Sequence, residues 1–103
     1  MKELQEKVKE FCEIHKLHCP LEFRFLDLVS ELGEVAKEII KSTNYGKAEF
    51  KFREEIKSEL GDLFFSLVVI ANQLNINLED ALNMVLEKYE KRIRERGTAS
   101  SAG

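Results

Sequence analysis

Structure breakers are scarce in this sequence, with one proline and five glycines in 103 residues. Together with 44% hydrophobic and 34% charged residues, that scarcity excludes a disordered chain and describes a helix-rich globular one. Long apolar runs are also missing. The longest, LFFSLVVIA at 63–71, is about half the length needed to cross a bilayer, and the N-terminus MKELQEKVKE is too charged for a secretory signal. A cytoplasmic protein is expected. Cysteine is limited to Cys12 and Cys19, seven residues apart in what reads as one helical segment. That separation is roughly 10 Å along a helix axis, too far for a disulfide, and reduced thiols fit the cytoplasm. An excess of positive charge is absent too. The 19 acidic and 16 basic residues leave a net charge of −3, which excludes a nucleic acid polymer and a membrane surface as the expected partners. An anionic small molecule would need a local cationic device.

What is present is helical periodicity. Leu4, Val8 and Phe11 predict a first helix from about Lys2 to His18, with Pro20 placed to begin the next. The second carries Leu21, Phe25, Leu28, Leu32, Val35 and Ile39 at spacings of 4, 3, 4, 3 and 4, a stripe expected to face a bundle core. Turn formers in STNYGK at 42–47 interrupt the pattern, and Phe52, Ile56, Leu60, Leu63, Leu67, Ile70 and Leu74 resume it in a third helix ending near Gln73. Asn77 reads as the N-cap of a fourth helix, with Glu79 and Asp80 in its first turn and Gly97 at its end. The expectation is an all-α, four-helix bundle-like single domain over residues 1–96, built on an antiparallel central hairpin of the second and third helices, with a flexible tail at 97–103. From Leu63 to Ala71 the third helix is apolar on nearly every side, more than so small a monomer covers, so an oligomer is expected.

One pentapeptide is written twice, as SELGE at 30–34 and SELGD at 58–62. Asp27, Glu31, Glu34 and Glu38 share one face of the second helix, and Glu55, Glu59 and Asp62 share one face of the third. Like charges at i,i+4 cost a few tenths of a kcal/mol per pair, and Gly33 and Gly61 each cost roughly 1 kcal/mol against alanine in a helix interior. A repeated cost suggests a use, such as close approach of a helix or ligand. In an antiparallel hairpin, residues whose numbers share a sum lie opposite each other, which pairs Glu34 with Glu59 and Glu31 with Asp62. Four carboxylates gathered beside an apolar core repel strongly unless cations sit among them, and all-oxygen ligation selects Mg²⁺, with Mn²⁺ as a substitute. Asp27 and Glu38 are candidate auxiliary acids. On the fourth helix Lys88, Arg92 and Arg96 form a strip at spacings of 4 and 4 that suits phosphate oxygens.

ELGE, then 24 residues later ELGD, followed by LFFSLVVIANQLNINLEDAL and KYEKR, resembles the MazG-like all-α nucleoside triphosphate pyrophosphohydrolases over roughly positions 23–93. Their signature is an E-x-x-E pair followed by E-x-x-D. The resemblance implies Mg²⁺-dependent hydrolysis of a nucleoside triphosphate to monophosphate and pyrophosphate, in a homodimer or homotetramer. It implies Glu31, Glu34, Glu59 and Asp62 as metal ligands and Lys88 and Arg92 as phosphate-binding residues. Of the four acids, Glu31 or Glu34 is the candidate catalytic acceptor of the water's proton, because Glu59 and Asp62 sit on the more buried helix and read as pure ligands. Ser30 departs from the pattern, since many members carry a further glutamate there. Three other readings are weaker. Cys12, His15 and Cys19 supply three zinc-type ligands from a single segment, a di-iron bundle needs Glu-x-x-His pairs that are missing, and a non-catalytic helical assembly module would leave the acids as mere surface.

Overall fold

In the computed structural model, which describes residues 1–97, four helices follow one another: α1 Lys2–Ile14, α2 Leu21–Ser42, α3 Glu54–Gln73 and α4 Leu78–Arg96. The described residues contain no strand. The expected tail lies, beyond Gly97, outside the described residues.

Local chemistry sets the boundaries. The Asn77 side chain accepts a hydrogen bond from the Asp80 backbone N–H at 3.1 Å, and Glu79 and Asp80 lie at the positive end of the α4 dipole. Gly97 closes α4 in the left-handed conformation, φ 73°. α1 ends about a turn before the expected His18, because Lys16 takes φ 55° and the Leu17 N–H bonds back to the Cys12 carbonyl at 2.9 Å. Cys12 and Cys19 therefore do not share a helix, and both are free thiols. Between α2 and α3 the chain reverses through Asn44, Tyr45 and Gly46, all at positive φ, where glycine is the unstrained choice at the third position.

α2 and α3 form the antiparallel hairpin, and α1 packs on α3 as well, which makes α3 the centre of the molecule. Its Ile56, Val68, Val69, Ile70 and Ala71 are buried along with Cys12 and Val35. α4 is different, since it buries no residue and is not packed extensively on any other helix. The radius of gyration is 17.0 Å, against about 13 Å for a compact chain of this length.

A buried amide sets where α4 leaves. Gln5 of α1 is 8% exposed, and its Nε2 donates to Asn72 Oδ1 at 3.1 Å and to the Ile76 carbonyl at 2.8 Å. Its Oε1 accepts from the Leu78 N–H at 2.8 Å, and Asn72 Nδ2 donates back to the Gln5 carbonyl at 3.0 Å. Every polar atom of that amide is satisfied, so α1, the end of α3 and the first turn of α4 are tied into one joint.

The expected core stripe of α2 is divided. The less exposed positions are Leu21, Arg24, Leu28, Glu31, Val35, Glu38 and Ser42, at spacings of 3, 4, 3, 4, 3 and 4. Phe25, Leu32 and Ile39 of the stripe are 45%, 56% and 44% exposed, and Phe23, Leu26 and Val29 join them on the outside. Uncovered apolar surface is thus larger on α2 than on the segment 63–71, where it was expected and where Val68 to Ala71 are buried. Gly33 and Gly61 also depart from expectation. A Cβ at either would meet no atom within 4 Å, so neither glycine is needed for close approach within the chain.

Candidate metal centre

Glu31 on α2 and Glu59 and Asp62 on α3 each offer a carboxylate oxygen, and the three oxygens lie within 4.8 Å of one another. The i,i+3 spacing of Glu59 and Asp62 puts both on one face of α3, and the hairpin brings Glu31 to meet them. Glu31 and Glu59 are half-buried, while Asp62 is exposed. Crowding shows in protonation. Loss of solvent around Glu59, then the charges of Asp62, Glu31, Glu34 and Glu38, hold its carboxyl above the ordinary 4.5.

The donor set fits a hard divalent cation. Metal–oxygen bonds of about 2.1 Å allow oxygens on one ion to stand at most about 4.2 Å apart, a spacing the trio reaches by small side-chain adjustments. Glu34 is exposed and supplies no oxygen to the trio, yet its charge acts on Glu59. The auxiliary acids face other partners. Glu38 is buried and accepts from Arg53 Nη1 at 2.8 Å, with Lys41 Nζ 3.9 Å away, and Asp27 lies 3.7 Å from Arg24. Lys88 and Arg92 flank Tyr89, Nζ and Cζ lying 5.4 and 5.9 Å from the ring centroid, on the helix that is not packed extensively on the hairpin. Among the described residues the acidic trio is the one group with metal-holding geometry, and Cys12, His15 and Cys19 do not form another. His15 instead packs its ring on Phe11, centroids 4.5 Å apart.

Two residues near the acids were missed in the sequence. Arg53 lies outside every helical stripe, just before α3, and nothing local foretells its pairing with Glu38 across the turn. Arg24 was legible, because it stands in the same 3, 4 register as Leu28 and Glu31.

A family model for the MazG nucleotide pyrophosphohydrolase domain matches residues 23–96, a span containing both acid repeats and α4. The chain belongs to the MazG family. It is 40% identical over 79 residues to the uncharacterized protein YpjD of Bacillus subtilis (strain 168), covering 74% of this chain and 69% of that one. It is 30% identical over 86 residues to the Gene 37 protein of Mycobacterium phage L5, covering 81% and 74%. Its fold is similar to the crystal structure of the Bacillus-conserved MazG protein, a nucleotide pyrophosphohydrolase, with a TM-score of 0.73 at 32% identity, covering 85% of this chain and 86% of that one. MazG domains are metal-dependent hydrolases of nucleotide pyrophosphate bonds, and the acid trio is the feature of this chain suited to the metal. No helix among the described residues is long and apolar enough to cross a membrane.

Proposed function

We propose that this MazG protein is a cytoplasmic, Mg²⁺-dependent nucleoside triphosphate pyrophosphohydrolase that converts a ribo- or deoxyribonucleoside triphosphate to the monophosphate and pyrophosphate, a housecleaning activity on the nucleotide pool. The observation that carries this reading is the convergence of Glu31, Glu59 and Asp62 oxygens within 4.8 Å. These three are the residues to hold Mg²⁺, or Mn²⁺ in its place, with Glu34 beside them and not saturated by the metal. When bound, such a cation neutralises phosphate charge and polarises the anhydride being cleaved.

The chain's own residues supply the rest. Glu34, exposed and outside the trio, is the acceptor for the proton of the attacking water, while Glu31, one turn earlier, keeps its place among the ligands. Lys88 and Arg92 offset the charge of the departing pyrophosphate. α4 is not packed extensively on the hairpin of its own chain, and in the homodimer or homotetramer of this reading the strip of one copy serves the cage of another. The same assembly covers the outward apolar face of α2. The test is the purified protein with Mg²⁺ and each of the eight standard nucleoside triphosphates, the nucleotide product being separated by chromatography. Monophosphate with pyrophosphate is expected from at least one. Diphosphate with orthophosphate, or activity that persists in excess EDTA, overturns the reading.

A further inference from the structure

Arg24 Nε is the one buried side-chain nitrogen or oxygen among the described residues that has no hydrogen-bond partner. The side chain is 12% exposed, and its recorded ionic neighbour, Asp27, is itself 56% exposed with Oδ2 3.7 Å from Nη1, beyond hydrogen-bonding range. A guanidinium stays charged at every pH where proteins fold, and it carries five N–H donors with no acceptor. Sealing the Nε–H of such a group from solvent without an acceptor is costly, so a retained one marks a place where an acceptor arrives.

Position identifies the acceptor. Arg24, Leu28 and Glu31 belong to the face of α2 that is least exposed, at spacings of 4 and 3. Seven residues are two turns less about 20°, so Arg24 stands in line with Glu31 and about 10 Å farther along the axis. The acid trio and the guanidinium are therefore two stations on one face, the first suited to a cation and the second to an anion. A chain of phosphates with a bridging metal near one end has this pattern of needs, while a nucleobase would leave the charge of the guanidinium uncompensated.

The geometry points to Arg24 as the residue that takes the terminal phosphate group of the triphosphate. This rests on the pyrophosphohydrolase reading and adds a determinant of phosphate-chain length to it. Triphosphates reach both stations, shorter nucleotides reach only the cage, and the pyrophosphate product keeps the Arg24 contact until it departs.

The test compares the full-length wild type with Arg24→Gln and Arg24→Lys, after wild-type turnover of a triphosphate has been established. Arg24→Gln should raise KM for the triphosphate and weaken inhibition by pyrophosphate by about 10- to 100-fold, the range for a lost hydrogen bond to a charged group. Mn²⁺ affinity should be unchanged, and Tm should stay level or rise because an uncompensated buried charge is gone. Arg24→Lys should recover part of the pyrophosphate affinity. It also serves if the glutamine variant fails to fold, read as the rise in Tm that pyrophosphate with Mn²⁺ produces. Unchanged KM and pyrophosphate affinity with a lower Tm would make Arg24 a packing stem and overturn the proposal. Unchanged KM with weakened self-association would do the same, by giving the guanidinium to a second copy. A wild type that binds pyrophosphate but turns over no triphosphate would sink the underlying reading instead, and with it the assignment of Arg24 to substrate.

Discussion

The two long faces of α2 reverse the usual distribution of polarity. Toward α3 the helix presents Arg24, Glu31 and Glu38 between its apolar residues, and away from α3 it presents Phe23, Leu26, Val29 and Leu32, each more than half exposed. Burying one large apolar side chain stabilises a protein by roughly 1.5–3 kcal/mol, so a face of this kind left in water forgoes several such contributions. The difference teaches that an apolar stripe need not be the packed face: on the proposed reading the inner face is shaped by what it holds and the outer face by what covers it. α4, with no buried residue, belongs with the outer face.

The comparison can be broken most forcefully from inside. Glu59→Gln should lower turnover at least about 1,000-fold while leaving the metal-free Tm no lower than wild type, because a mutually repelling charge is removed and the helix is kept. A Tm lower by more than about 5 °C would make Glu59 a packing residue. From outside, Leu26→Asp should weaken self-association about 100-fold, seen as a smaller mass in light scattering at micromolar concentration. An unchanged mass would mean that the outward face of α2 is not the contact. Arg53→Ala should cost about 1 kcal/mol, since Arg53 is one-third exposed and its pairing with Glu38 is partly screened. That corresponds to a Tm about 4–8 °C lower at constant assembly state, and no change would remove Glu38–Arg53 from the account of the hairpin.

The smallest effect concerns pH. Glu59 holds its proton above the ordinary 4.5. Its contribution to stability is therefore most favourable below 4.5 and is lost as pH rises through the folded-state value, where ionisation must occur among Asp62, Glu31, Glu34 and Glu38. The metal-free Tm of Glu59→Gln should exceed that of wild type near neutrality, and the gap should close as the pH falls toward 4.5. A gap independent of pH would mean that the crowding does not act on this carboxyl.

Much of the fold was written in local pattern. The four helices, the Asn77 cap and the Gly97 terminus follow from interactions within a turn or two, which a sequence displays directly. The repeated pentapeptide also marked three acids that meet, Glu31, Glu59 and Asp62, because an antiparallel hairpin brings two marked faces together by arithmetic, while Glu34, paired with Glu59 by the same arithmetic, supplies no oxygen to the trio. What the pattern could not show was which apolar stripe faces inward. Periodicity reveals that α2 has an apolar face, yet the choice of contact surface depends on α3, whose own stripe is nearly continuous. Arg53 pairs with Glu38 across a separation of 15 residues, which no local pattern displays. Gln5 was invisible for the same reason, as a lone polar residue in α1 whose partners lie at the other end of the chain.

That last joint has a consequence in time. Gln5 is synthesised before its partners Asn72, Ile76 and Leu78, which follow 67, 71 and 73 residues later. At about 5–20 residues per second, α1 waits on the order of 4–15 s for them, long after the α2–α3 hairpin has had both its strands of helix available. The angle of α4 is expected to be the last thing the nascent chain decides. A chain made only as far as α3 then has its cage acids but no fixed arm beside them, so the ribosome's own pace postpones the setting of α4 until Leu78 has followed.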